Sequence, residues 1–321
     1  MSNGIVIGRF MPLHAGHVAL IRTALALVDH LTIMICAMPG DTPDGVSRLR
    51  WMMEMFPATR FVVAPAPSPH AAPDRPDARE EWAARIADFH PAPVDQLFAS
   101  DVRQRIIAEA IGARFVLIDP RRDGVPLRSS RVRVDPFAFW RLIPPAVRPS
   151  YAHTICLHGP ESTGKSTLAA ALARHFDTVF VPEYGRTYCE QFGTDLAMGD
   201  LVTIGRTHAA LTQAMLRQCN ARLILDTDPL MTAVWADMMF GERDPWFDEF
   251  SATARLYLLL DIDTPFVDDS LRVYGGDAER RRFFDLSRAE LERRGVPYVV
   301  IGGPAEARFD RALEAIAAAG L

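Results

Sequence analysis

Two short stretches set basic, imidazole and hydroxyl side chains among glycines directly behind apolar runs, and both have the makings of a phosphate cradle. The first, "GRFMPLHAGH" at residues 8–17, follows Gly4-Ile5-Val6-Ile7 and leads into the helical pattern "VALIRTALALV". Its tight turn brings His14 and His17 to a helix start, where free N–H groups and the positive end of the helix dipole receive an anion. Gly8 and Gly16 let the backbone come close to it. Two neutral or partly charged imidazoles there can donate hydrogen bonds to a phosphate whose charge grows as pyrophosphate leaves, with no covalent nucleophile. The second, "GPESTGKST" at residues 159–167, is a complete Gly159-x-x-x-x-Gly164-Lys165-Ser166 P-loop between a strand and the helical pattern "STLAAALARHF". In such a loop the backbone N–H groups curl around β- and γ-phosphates, the lysine adds a point charge, and Ser166 can ligate Mg2+ next to Thr167.

A P-loop does not say where the γ-phosphate goes. In "RLILDTDPL", Asp226 closes an apolar strand, the place for a carboxylate that holds Mg2+ or takes a proton from an acceptor hydroxyl. Asp228, ahead of Pro229 and a helical run, suits an N-cap instead. Glu183 in "VFVPEYGR" ends another strand, where an open α/β sheet forms its ligand crevice. Farther on, "DDSLRVYGGDAERRRFF" has the glycines and arginines of a lid that closes on transferring phosphate, with Arg272 its main candidate and Arg280, Arg281 and Arg282 including at least one solvated helix residue. No NKxD guanine signature is visible, so these features favour a small-molecule kinase over a motor or switch GTPase.

The elements that must hold these residues alternate in the βαβ rhythm of parallel sheets. Candidate strands are 5–7, 31–37, 61–64, 96–99 and 115–118, then 154–157, 179–181, 223–225, 256–260 and 298–301, with helical patterns between most of them. The proline-bearing "LIPPAVRPSYAH" separates the two sets. The expected organisation is therefore two α/β domains, 1–149 and 150–321, the first a Rossmann-like parallel sheet and the second a P-loop parallel sheet. A stretch with five prolines, 65–77, reads as an exposed loop. At 321 residues and 49% hydrophobic, the chain is long enough for two cores. The net charge of −5 is spread out, with no basic block, so no nucleic-acid surface is expected. Four separated cysteines without metal-ligand spacing, no targeting segment and no membrane-length apolar run point to a cytoplasmic protein.

GRFMPLHAGH followed by GPESTGKST resembles the bifunctional nicotinamide-nucleotide adenylyltransferase and ribosylnicotinamide kinase family of bacterial NAD salvage. The stretches "CAMPGDTPDGVSRLRWM", "FASDV", "VDPFAFWRLIPPAVRP", "VPEYGR", "LDTDPLMTAVWADMMFG" and "ERRRFFDLSRAELERRGVPYVVIGG" carry the resemblance along nearly the whole chain. It implies that the second domain phosphorylates the 5′-hydroxyl of ribosylnicotinamide with ATP. The first would then join nicotinamide mononucleotide to a second ATP, giving NAD and pyrophosphate. Gly8, Arg9, Phe10, His14, Gly16 and His17 match the family's ATP site. The family's second motif, I-S-x-T-x-x-R, corresponds to "LRSSRVR": Ser130 keeps a hydroxyl, Arg133 keeps the charge, and Arg128 replaces the first serine. The lid departs more mildly, with Ser270 where the family has glycine.

Some members begin with a DNA-binding helix-turn-helix; only three residues precede Gly4 here, so that module and repression are not expected. Of Trp51, Trp82 and Trp140, only Trp82 is kept as a candidate surface for stacking on nicotinamide, against the alternative of core packing. Oligomeric state stays open, a homo-oligomer included. Two rivals are weighed. A fused riboflavin kinase and adenylyltransferase lacks a P-loop and fits poorly. A weakened first domain, either purely regulatory beside an active kinase or part of a non-catalytic sensor of nicotinamide nucleotides or ATP that signals to a partner, draws its only support from Arg128. Intact His14, His17, Lys165 and Asp226 weigh against the sensor.

Overall fold

The computed structural model describes residues 1–70, 77–90, 92–267 and 274–321. Two compact units divide it, Met1–Ser150 and Tyr151–Leu321. The first unit alternates β1 (Asn3–Gly8), α1 (Ala15–Leu25), β2 (His30–Ala37), α2 (Gly45–Met55), β3 (Arg60–Pro65), α3 (Ala78–Phe89), β4 (Gln96–Ala99), α4 (Arg105–Ala110), β5 (Arg114–Leu117) and α5 (Ser129–Val134). Its strands pair in parallel in the order β3-β2-β1-β4-β5. Ile5, Val6, Ile33, Met34 and Ile35 are fully buried, so the central strands read as continuous apolar runs because helices cover both faces. One core layer gathers Ile5, Met34 and Leu97 from the sheet with Trp82 and Ile86 of α3 and Ile107 of α4.

The second unit runs β6 (His153–His158), α6 (Lys165–His175), β7 (Phe180–Val181), α7 (Tyr184–Phe192), α8 (Met198–Met215), β8 (Arg222–Asp226), α9 (Pro229–Phe240), α10 (Pro245–Glu249), β9 (Leu256–Leu260), α11 (Asp277–Arg294), β10 (Tyr298–Ile301) and α12 (Ala305–Ala318). Again all strands are parallel, in the order β10-β9-β6-β8-β7. In both sheets the first strand lies in the middle and the chain leaves it in both directions. That reversal opens a crevice beyond the carboxyl ends of the central strands, and both glycine-rich turns lie there. Both parallel sheets, and every candidate strand, match the sequence expectation. Cys36, Cys156 and Cys219 are buried and Cys189 half-buried, all as free thiols. No helix among the described residues is long and apolar enough to cross a membrane.

Candidate functional sites

In the first unit, a cavity of about 270 Å³ opens where β1 passes into α1. His14 is the N-cap of α1, and its Nδ1 accepts the Gly16 N–H at 3.2 Å. The His14 N–H donates to Nδ1 of His17 at 3.3 Å, and the two rings stack with centroids 3.8 Å apart. Backbone N–H groups can only donate, so each imidazole carries its proton on Nε2. Burial, with the Arg122 guanidinium secondary, lowers the His14 pKa to about 4; burial and the neighbouring His14, Arg122 and His70 hold that of His17 well below its usual value. Both rings are therefore neutral donors at pH 7. The Nε2 of His14 is buried without a partner, a group awaiting an acceptor.

The second motif converges on the same cavity. Ser129 Oγ donates to Pro12 O at 3.2 Å, Arg133 donates to Met11 O, and Ser130 and Arg133 line the cavity with Gly8, Arg9 and Phe10. Arg128 is the N-cap of α5, and its side chain makes no capping bond, as expected where arginine replaces a capping hydroxyl. The turn is braced from below by the buried Arg48, which donates to Arg9 O at 2.6 Å, Cys36 O at 2.9 Å and Asp41 at 2.8 Å. Arg9 pairs with the same Asp41.

In the second unit, a cavity of about 250 Å³ runs from the P-loop along α7, α8 and α9. Gly164, the N-cap of α6, has φ of +86°, and Gly159 has φ of +123°. A Cβ on Gly159 would come 2.8 Å from Leu260 O, so this position requires glycine twice over. Lys165 is folded onto the loop, its Nζ donating to Gly159 O at 2.9 Å and Pro160 O at 2.8 Å. The buried Arg308 clamps the loop from behind through Thr163 O at 2.6 Å, Asp261 O at 3.0 Å and Gly303 O at 2.7 Å.

Glu183 lines this cavity together with Gly164, Lys165, Ser166 and Thr167. Burial raises its pKa, and Asp226 and Glu161 push the same way against Lys165 and Arg186. Asp226 lies behind the loop, 2% exposed, hydrogen-bonded with Ser166 and with its Oδ1 unpartnered; its pKa is also raised by burial. Asp228 does the structural work expected of it, capping α9 at Leu230 N (3.0 Å) and accepting from Tyr257 Oη at 2.6 Å.

Several candidates stand elsewhere than expected. Gly16 does not line the first cavity: a Cβ there would approach the His14 ring at 3.1 Å, so its bareness makes room for the imidazole rather than for nucleotide. Gly159 shapes the P-loop without facing the second cavity. Trp82 lines neither cavity; it is 2% exposed in the core against Ile86 and Leu97, which replaces the expected stacking role. Arg280 is buried and donates to Thr264 O at 3.0 Å, whereas Arg281 and Arg282 are exposed. Arg272 and Ser270 lie outside the described residues.

The sequence reading missed Ser68, His70, Asp101, Arg103 and Arg122 around the first cavity, and Thr194, His208 and Trp235 in the second. His70 Nδ1 stands 3.3 Å from Asp101, whose carboxylate also accepts from Nε, Nη2 and the backbone N–H of Arg103. Asp101 sits in the quoted "FASDV"; the others carry no local signal.

The profile of a family described as an AAA domain matches residues 154–308. The trifunctional NAD biosynthesis/regulator protein NadR of Escherichia coli is 30% identical over 339 aligned residues, covering 98% of this chain and 82% of that protein. The chain belongs to the NadR family. NadR of Salmonella typhimurium matches with the same identity and coverage. Among solved structures, a NadR protein in complex with NAD and AMP-PNP superposes with a TM-score of 0.79 at 21% identity, covering 100% of this chain and 96% of that one. A NadR protein in complex with NR gives 0.80 at 21% identity, covering 98% and 95%. These two share the NadR fold along the whole length, and the resemblance read from the sequence motifs stands.

Proposed function

We propose that the chain is an NAD salvage enzyme with two activities, one in each of two domains, 1–149 and 150–321. The second phosphorylates ribosylnicotinamide with ATP, and the first adenylylates the resulting mononucleotide to NAD. The observation that carries this is the pairing of two separate cavities with complementary chemistry: a buried carboxylate beside a P-loop lysine in one, two neutral imidazole donors in the other. Membership of the NadR family supports it, as do the NAD, AMP-PNP and NR held by its structural relatives.

In the kinase cavity, the 5′-oxygen of the riboside attacks the γ-phosphorus, the bond from that phosphorus to the bridging oxygen breaks, and ADP leaves. Glu183 takes the hydroxyl proton; its raised pKa suits a base working near neutrality. Lys165 leaves the loop carbonyls for the phosphate oxygens, exchanging two neutral acceptors for charged ones. Ser166 and the unpartnered Oδ1 of Asp226 offer oxygens that would hold Mg2+. Bound there, the ion would supply positive charge against the β- and γ-phosphates.

In the other cavity, a phosphate oxygen of the mononucleotide attacks the α-phosphorus of ATP and pyrophosphate departs. His14 and His17 donate their Nε2 protons to oxygens that gain charge in that step, and Arg133 and Ser130 bind the phosphates. ATP with Mg2+ and ribosylnicotinamide yields mononucleotide first and NAD second. Mononucleotide that never becomes NAD supports the second reading, a kinase with a weakened or purely regulatory N-terminal domain, which the uncapping Arg128 favours. Absence of both products refutes the proposal.

A further inference from the structure

We propose that His208 binds the polar substituent on the aromatic base of the kinase substrate and selects an uncharged carboxamide over a carboxylate. This rests on the kinase reading above and extends it to another part of the same cavity.

His208 lies on α8, is 1% exposed and lines the cavity, and its Nε2 has no hydrogen-bond partner. Leaving such a group unpaired away from water is costly, so a buried orphan on a residue that lines a cavity marks a place for a ligand atom. Its surroundings identify that ligand. On the same helix face, Leu201 and Ile204 precede it by two turns and one; Met231 and Trp235 of α9 continue the apolar wall. Such a wall suits a flat heteroaromatic ring rather than phosphate or the hydroxyls of a ribose.

The charged groups named so far gather around Glu183. Lys165, Asp226 and Arg186 all act on Glu183, but none of them contributes to the pKa of His208, which burial alone lowers to about 4. A riboside whose 5′-hydroxyl meets Glu183 can set its base against the apolar wall that carries the imidazole. At neutral pH that imidazole is uncharged and exchanges one hydrogen bond with a carboxamide. A carboxylate in its place would be a buried charge against a neutral imidazole and an apolar wall, which is strongly unfavourable.

The test is a cycle that removes the contact from each side: ribosylnicotinamide, its carboxylate analogue and pyridine riboside, which lacks the substituent, are phosphorylated by the full chain and by His208→Phe and His208→Gln. We expect His208→Phe to lower kcat/KM for ribosylnicotinamide about tenfold, almost entirely through KM, as for one lost hydrogen bond. Turnover of pyridine riboside and the KM for ATP stay within about twofold, since a direct contact couples only to the group it touches. The preference for amide over acid narrows, and His208→Gln, which keeps a neutral donor and acceptor, restores most of it.

Equal slowing of all three ribosides by His208→Phe makes the residue structural and overturns the proposal. So does an unaltered protein that handles ribosylnicotinamide and pyridine riboside alike, a result that needs no variant to fold. An unaltered protein that binds ATP at the P-loop but phosphorylates no riboside defeats the kinase reading itself, and this proposal with it.

Discussion

Replacing Lys165 with methionine removes the one P-loop side chain that must move to act. The residue is 7% exposed, and its ammonium is held by Gly159 O and Pro160 O at 2.9 and 2.8 Å. Methionine has similar length and fills the same channel, so the loop, clamped independently by Arg308, keeps its path. What is lost is the cation that swings from those carbonyls to meet the charge developing on the γ-phosphate. One such donor is worth roughly 3–4 kcal/mol in a site sheltered from water, about 10²–10³ in kcat. A second effect adds to this. Lys165 lowers the pKa of both Glu183 and Asp226 against the burial that raises them. Without it both carboxyls titrate higher, so the rising limb of the kinase pH profile shifts to higher pH and less Glu183 is ionised at pH 7. The combined loss expected at pH 7 is about a thousandfold in ribosylnicotinamide phosphorylation, less at pH 9 where Glu183 is ionised again. Conversion of supplied nicotinamide mononucleotide to NAD stays within about twofold, because Lys165 belongs to the other cavity. A coupled assay for mononucleotide and NAD from pH 6 to 9 measures both. If the variant keeps more than a tenth of the kinase activity, or if a folded variant loses NAD formation as well, the two-cavity reasoning is wrong.

The other cavity gives the converse result: His17→Ala slows adenylyl transfer about a hundredfold or more with kinase turnover intact, and an unchanged rate of NAD formation removes the imidazole from the mechanism. Gly159→Ala meets Leu260 O at 2.8 Å on a backbone with φ of +123°, so it destabilises the second unit by about 2–4 kcal/mol and weakens ATP binding; a wild-type urea midpoint contradicts the geometry. Trp82→Ala opens a core cavity and lowers stability by about 3–5 kcal/mol while leaving the KM for mononucleotide unaltered; a selective rise in that KM would return Trp82 to the site. Acid should melt the first unit first. Its His14, His17 and His70 are held below 6.5, so the unfolded chain binds more protons and stability falls as pH drops through that window. Asp41 and Asp101 are held below 3.8 and extend the loss at lower pH. In the second unit, the raised pKa values of Glu183 and Asp228 oppose those of its lowered histidines. Calorimetry at pH 7 and pH 5 should show the transition that mononucleotide stabilises falling further than the one ribosylnicotinamide stabilises; the reverse order would refute the assignment.

How much of this was legible in the sequence follows from how local each cause is. The strands were legible because a parallel strand covered on both faces must be a nearly unbroken apolar run, as residues 33–37 and Leu256–Leu260 are. The cradles were legible because glycine, histidine and lysine at fixed spacing act through the turn that contains them. Even there, chemistry was easier to read than geometry. The bareness of Gly16 looked like room for nucleotide, yet it is the His14 ring, two residues away, that fills the space. What could not be read depends on partners far along the chain. Arg48 reaches back 39 residues to Arg9, and Arg308 reaches back 145 to Thr163, and nothing in their own neighbourhoods distinguishes them from solvated arginines until the sheets bring those carbonyls within reach. Trp82 was ambiguous for the same reason, since an aromatic at a helical spacing fits a core or a stacking site equally well. His208 is the extreme case. Its surroundings in "TIGRTHAALTQ" are those of any amphipathic helix, and only the folded cavity shows that its Nε2 has been buried with nothing to bind. Motifs therefore announce the reacting atoms, whereas the residues that choose among substrates are found by asking which buried polar groups the fold itself leaves unsatisfied.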